Sequence, residues 1–199
     1  MNTHNANWIY SRSEQIAPIA RALMPQLSYH NWRHVQDVAS SVETIARREG
    51  VSEESVALLR ATAYLHDVTY LPFDKQNEER SASLAGLVLT NLDFAKSEVD
   101  LVQRLVLETK VPQKPTDLLG RLICDADVAN FGREDFLERG EEVRTELSIP
   151  QTAGWYAGCL KLLESHSFHT SAGASLYNAG KEKNIAKLRE IVAQYEEKS

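Results

Sequence analysis

An all-α chain is what this sequence predicts, and three observations predict it. Apolar residues recur at three- and four-residue spacing in stretch after stretch, as the core-facing stripe of a helix requires. No segment alternates apolar and polar residues with period two, and no Asn-Gly or Asp-Gly pair marks a hairpin. The first stripe is Ile16, Ile19 and Leu23, ended by Pro25. The second is Val35, Val38, Val42 and Ile45, closed by Gly50 at a helix C-terminus. Ser52 is a good N-cap for a third helix with Val56, Leu59, Ala63 and His66. Residues 68–77 contain Pro72 and no period, and read as a loop. A fourth helix carries Leu84, Leu87, Val88 and Asn91, and Ser97 is expected to cap a fifth with Val102, Leu105 and Val106. The segment VPQKP at 111–115 is a break. The sixth helix is expected from Thr116 through Leu119, Leu122, Ile123 and Ala126 to Asp127. Phe136, Leu137 and Val143 mark a seventh. Pro150 is expected to open an eighth, with Trp155, Cys159, Leu162 and Leu163, and the tail from Lys181 carries Ile185, Leu188 and Ile191.

With 199 residues the chain is long enough for one sizeable core. The expected organisation is a single domain: an N-terminal helix (1–26) packed on a core (27–150) that carries the site, and a C-terminal helical extension (151–199). A net charge of −6 argues against non-specific binding to nucleic acid or an anionic membrane, which needs a basic surface. No apolar run reaches membrane-spanning length. The N-terminus lacks a cationic start followed by an apolar core, so no signal peptide is expected. Cys124 and Cys159 lie inside apolar helical patterns and read as buried thiols, which fits a reducing cytoplasm. Gly-rich phosphate loops, cysteine zinc clusters and nucleophilic serine motifs are not found.

The chemistry concentrates in His34, the adjacent pair His66-Asp67, and Asp127. His66 falls on the apolar stripe of its own helix, and Asp67 follows where that helix runs out. His34 and Asp127 each flank an apolar stripe. Burying an unpartnered polar group costs roughly 2–7 kcal/mol, so these groups need partners. Two imidazoles and two carboxylates converging on one point would bind a divalent metal. Taken singly, each reads more readily as a satisfied core histidine, a helix-terminal aspartate or an ordinary charge pair.

The surrounding words link the four residues. YHNWRH at 29–34, LHD at 65–67, NEERSA at 77–82, ETK at 108–110 and DADVANFG at 125–132 occur in that order. Together they resemble the HD superfamily of metal-dependent phosphohydrolases, and within it the soluble bacterial group of predicted HD phosphohydrolases. The likeness runs from about Leu27 to the FHT at 168–170. It implies a helical HD-type bundle, with His34, His66, Asp67 and Asp127 as ligands of a divalent metal (Mn, Mg, Co, Ni, Fe or Zn). It further implies hydrolysis by metal-activated water of a phosphate ester, on a nucleotide or another small phosphorylated metabolite.

YHNWRH is also similar to the Tyr-His-Asn-x-x-His of cyclic-nucleotide phosphodiesterases, which implies that His30 donates the proton to the leaving oxygen. An imidazole titrates near neutral pH, and a position four residues from a ligand lets it face the same pocket. His30 reads alternatively as a loop histidine stacked on Tyr29 or Trp32. Glu79 is the candidate for orienting water or ligands, and Arg80 and Lys110 for holding phosphate. As alternatives, Glu79 compensates a helix dipole and Lys110 completes a helix C-terminus. Asp125 lies about 200° around the helix from Asp127, so it is expected to cap or to form a salt bridge. His166 and His169 could face the same way on a helix and are expected to be structural. Tyr70 stands where the phosphodiesterases carry a further histidine, and no histidine lies between His66 and Asp127. One tightly held metal is therefore expected. The other readings are a cyclic-nucleotide phosphodiesterase and a non-catalytic, metal-dependent nucleotide-binding module.

Overall fold

The computed structural model describes the backbone of residues 3–197 and the side chains of residues 11–197. Met1 and Asn2, part of the N-terminal segment read above, lie outside the described residues. Among the described residues there are nine α-helices, one short 3-10 turn and no strand. The helices are α1 (Thr3–Leu23), α2 (Trp32–Arg48), α3 (Glu53–Leu65), α4 (Asn77–Asn91), α5 (Lys96–Glu108), α6 (Leu118–Asp127), α7 (Phe136–Glu146), α8 (Ala153–Ser165) and α9 (Ser171–Glu196). The 3-10 turn is Ala129–Gly132.

Helix α3 is the hub. Its Leu58 and Leu65 pack with Ile16 and Ala20 of α1, Ala85 and Leu89 of α4, and Val102 and Val106 of α5. Its opposite side, Val56, Leu59 and Ala63, packs with Val38, Val42 and Ile45 of α2 and with Leu122, Ile123 and Ala126 of α6. Leu59 and Leu65 are fully buried, which contributes about 1.5–3 kcal/mol each. A third cluster, Phe136, Tyr156, Leu163, Ile185 and Leu188, joins α7, α8 and α9.

Several helix starts differ from the sequence expectation, each for a capping reason. Ala95, not Ser97, is the N-cap of α5, and its N–H is satisfied by the Glu98 carboxylate at 2.7 Å. Asp117 caps α6 by accepting from Gly120 N at 2.9 Å, so the helix starts at Leu118 rather than Thr116. Thr152 caps α8, which starts at Ala153 and not at Pro150. The core face of α4 is Ala82, Ala85, Val88 and Leu89, while Leu87 is 63% exposed. The expected stripe chose the bulky residues over the alanines.

The largest difference is α9, which begins at Ser171, ten residues before Lys181. Residues 171–180 are mostly small, with Leu176 and Tyr177 the only large apolar side chains, so they show no extended stripe. Thr170 caps the helix, accepting from Gly173 N at 3.0 Å, and tertiary bonds hold that cap in place. Asp125, fully buried on α6, accepts from His169 N at 2.7 Å, Thr170 N at 2.9 Å and Thr170 Oγ1 at 2.7 Å. Glu49 accepts from Ala172 N at 2.6 Å. Asp125→Ala should therefore lower stability by about 2–4 kcal/mol, because buried donors lose their acceptor. Urea unfolding monitored by circular dichroism measures this, and a loss under about 0.5 kcal/mol, the level of ordinary surface substitutions, would refute the anchoring role.

Candidate metal centre

Three helix ends meet at one point. Asn31 caps α2 with its side chain, accepting from Arg33 N at 2.9 Å and His34 N at 3.3 Å, and so places His34 in the first turn. His66 ends α3, Asp67 follows it, and Asp127 is the last residue of α6. Two helix C-termini thus face the same spot, an arrangement that favours a cation.

The four sequence-predicted ligands come together. His34 Nε2 lies 3.4 Å from Asp67 Oδ2 and 3.5 Å from Asp127 Oδ1. His66 Nε2 lies 3.2 Å and 3.3 Å from the same two oxygens. One donor atom each from His34, His66 and Asp127 falls within 4.8 Å of the others. Ligands bonded to one ion at about 2.0–2.2 Å stand roughly 3–3.5 Å apart, so this spacing fits a single shared cation.

The His66 ring supplies an independent test of the fit. Its Nδ1 pairs with Ala63 O at 2.8 Å, which leaves Nε2 as the inward atom. That Nε2 is buried with no aligned hydrogen-bond partner. An orphaned imidazole nitrogen between two carboxylates is what a metal ligand looks like, with the backbone carbonyl setting its tautomer. Gln113 Nε2 lies 3.3 Å from Asp127 Oδ2 and steadies the other carboxylate oxygen.

The electrostatics agree. Burial opposes charge on His34, but the Asp127 and Asp67 carboxylates outweigh it and raise its pKa. For His66 burial is likewise overcome, chiefly by the Asp67 charge, and the pKa rises well above the usual imidazole value. Burial also opposes ionisation of the carboxylates. The two histidines nevertheless hold Asp67 well below the ordinary carboxylate range and Asp127 at about 2. The carboxylates thus draw positive charge onto both imidazoles, and a divalent cation would replace those protons.

His30 is held beside the cluster. Its ring stacks on Tyr70 with centroids 3.5 Å apart and meets Tyr29 edge-on at 4.9 Å. Its Nδ1 pairs with the Glu146 carboxylate, whose second oxygen accepts from Tyr29 N at 2.9 Å and His30 N at 3.0 Å. Burial opposes ionisation of Glu146, yet the bonds to His30 bring its pKa below the usual value. Glu146 was missed by sequence reasoning, since it comes from α7, 116 residues away from His30.

A cavity of about 440 Å³ opens beside the cluster, lined by His30, Asp67, Tyr70, Lys75, Glu78 and Asp127 among others. The remaining sequence candidates lie outside its lining. Arg80 pairs with Asp74 and donates to Asn77 Oδ1 at 2.7 Å and Thr69 O at 3.2 Å. Lys110 pairs with Glu79 and donates to Lys75 O at 2.7 Å. Glu79, Arg80 and Lys110 thus tie the 69–79 segment to itself and to the end of α5. Asp74, Lys75 and Glu78 are the charged neighbours that do line the cavity, and no sequence signal separated Glu78 from Glu79.

The class of protein follows from this fold and site. The chain belongs to the HD domain family, whose sequence profile matches residues 31–130. That family falls within a superfamily of metal-dependent phosphohydrolases. No curated protein matches the chain. Among solved structures, Bacillus subtilis YpgQ in complex with ADP superposes with a TM-score of 0.72 at 16% identity, covering 94% of this chain and 96% of that one. Another YpgQ crystal structure gives 0.70 at 14% identity, covering 94% and 96%. At these identities the likeness is one of fold. Among the described residues, no helix is long and apolar enough to cross a membrane.

Proposed function

We propose that the protein is a metal-dependent phosphohydrolase that cleaves a phosphate ester of a nucleotide or another small phosphorylated metabolite. The observation that carries this reading is the four-residue cluster with its orphaned His66 Nε2, set against a cavity that Lys75 and Glu78 also line. His34, His66, Asp67 and Asp127 would hold one divalent cation. When bound, such an ion supplies Lewis acidity at a phosphoryl oxygen and makes a water molecule acidic enough to serve as nucleophile at neutral pH. Lys75 offsets phosphate charge across the cavity. His30, its Nδ1 held by Glu146, protonates the departing oxygen from its other ring nitrogen. Gln113 keeps Asp127 oriented. That a protein of the same fold binds ADP supports a nucleotide as the substrate class.

The test is turnover by metal-loaded protein on mono-, di-, tri- and cyclic nucleotides and on simple phosphate esters. The expected result is release of phosphate or pyrophosphate from at least one of them, stopped by a chelator and restored by manganese. Tight nucleotide binding without turnover, at full metal occupancy, would favour the non-catalytic module instead.

A further inference from the structure

A second cavity, of about 300 Å³, reaches the same cluster from the side of the 3-10 turn, α7 and α8. It shares His30, His34 and Asp127 with the candidate metal centre. Beyond them its wall includes Phe131, Phe136, Gly140, Trp155, Cys159 and Leu162, with Asn130 and Tyr29 as its uncharged polar members. No lysine or arginine lines it. Burial pushes the Cys159 thiol up to about 11, so that wall carries no charge near neutral pH. Its volume lies at the small end of the range for small-molecule pockets, and its composition is the usual one: aromatic and aliphatic walls beside a few polar groups.

Gly140 gives a second, independent observation. It sits inside α7, where glycine costs roughly 0.5–1 kcal/mol relative to alanine. Its φ is not positive, and a Cβ built there meets nothing within 4 Å. Neither backbone conformation nor packing demands glycine at this position. Gly140 lines the cavity and a Cβ there has open space around it, so a longer side chain has room to extend beside the aromatic wall.

We infer that this pocket receives a flat, uncharged group of the substrate, with the phosphate at the four-ligand cluster and any further anionic groups on the Lys75 side. The inference rests on the phosphohydrolase reading and narrows its substrate class to phosphate esters carrying an aromatic group such as a nucleobase. Transfer of that group from water to an apolar wall supplies affinity, whereas a charged group would lose its hydration with no counter-ion to replace it.

Calorimetric titration of manganese-loaded protein with two non-hydrolysable phosphonates tests this. Naphthylmethylphosphonate carries a flat apolar group, and ethylphosphonate lacks one. Burial of the fused rings predicts a preference for the naphthyl compound of roughly tenfold or more. In Gly140→Leu, whose side chain enters the pocket and whose helix propensity improves, the preference should fall to within about threefold, because the apolar volume is already filled. Cys159→Phe fills the pocket from the α8 side and should act in the same direction. Ethylphosphonate binding without a naphthyl preference, or a preference that survives both substitutions, would overturn this inference alone. Absence of binding by either phosphonate to metal-loaded protein would overturn the phosphate reading and this inference with it.

Discussion

Asp67→Ala should yield protein that purifies with little or no bound metal while keeping its helix content, and His66→Ala should do the same. Asp67 Oδ2 is 3.2 Å from the His66 imidazole and 3.4 Å from that of His34, so its removal takes away a carboxylate and the charge that favours both nitrogens. Loss of an outer partner costs about 10–100-fold in metal affinity, and loss of a direct ligand should exceed that. Elemental analysis after purification reads the result, and full occupancy in both variants would show that the metal sits elsewhere. The same samples fix the stoichiometry. Among the described residues, one grouping of histidines and carboxylates has metal-binding spacing. Tyr70, in the place of a further histidine, is stacked on His30 instead of offering a ligand. A second ion would depend on Asp67 as a bridge and on Glu78, whose pKa burial raises. Calorimetry on metal-stripped wild type should therefore show one strong site, since a hard cation gives up its waters reluctantly for so few ligands. Two strong sites, both abolished by Asp67→Ala, would move the protein toward the two-metal phosphodiesterase reading.

How far the sequence could be read follows from the distance over which each feature is determined. The stripes of α2, α3 and α6 are local, and so were legible. The same holds for His66, whose place on its helix stripe already implied burial beside a loop. The ordered words around His34, Asp67 and Asp127 carried the site because their spacing spans the whole helical core. Glu146 was not legible. It lies in a run of charged residues on α7, and only the tertiary approach of that helix to Tyr29 and His30 distinguishes it from Glu141 or Glu142. Gln113 was passed over for the same reason, since its contact with Asp127 depends on the path of the 111–115 segment. Arg80 and Lys110 have the residue type for binding phosphate. The structure commits both to Asp74, Asn77 and Glu79, as part of the hydrogen-bond network that also joins Thr69 to Ser81 and Leu71 to Asn77. Residues 171–180 were not read as helix although Thr170 caps them locally, accepting from Gly173 N at 3.0 Å, because what holds that cap in place, Asp125 and Glu49, lies far away in sequence.

His30→Ala should retain metal and lose roughly 10²–10⁴ in rate on substrates with poor leaving groups, the usual contribution of a positioned acid. The geometry also places a second residue in this effect. The Glu146 side chain is fully buried, pairs with His30 Nδ1 and accepts the backbone N–H of both Tyr29 and His30. It therefore fixes both the ring and the turn that leads into His34. Glu146→Gln preserves the shape but weakens a charge-assisted bond, and the His30 ring then rests mainly on its stacking with Tyr70. Its rate should fall less than that of His30→Ala, by about 10–100-fold, with metal content preserved. Both losses should shrink on nitrophenyl phosphate, whose leaving group departs without a proton, and in the double variant the effects should not add, because the two groups act as one unit. A merely structural Glu146 would lower the rate equally for good and poor leaving groups. An equal loss in His30→Ala would show that this imidazole positions substrate rather than protonating the leaving oxygen.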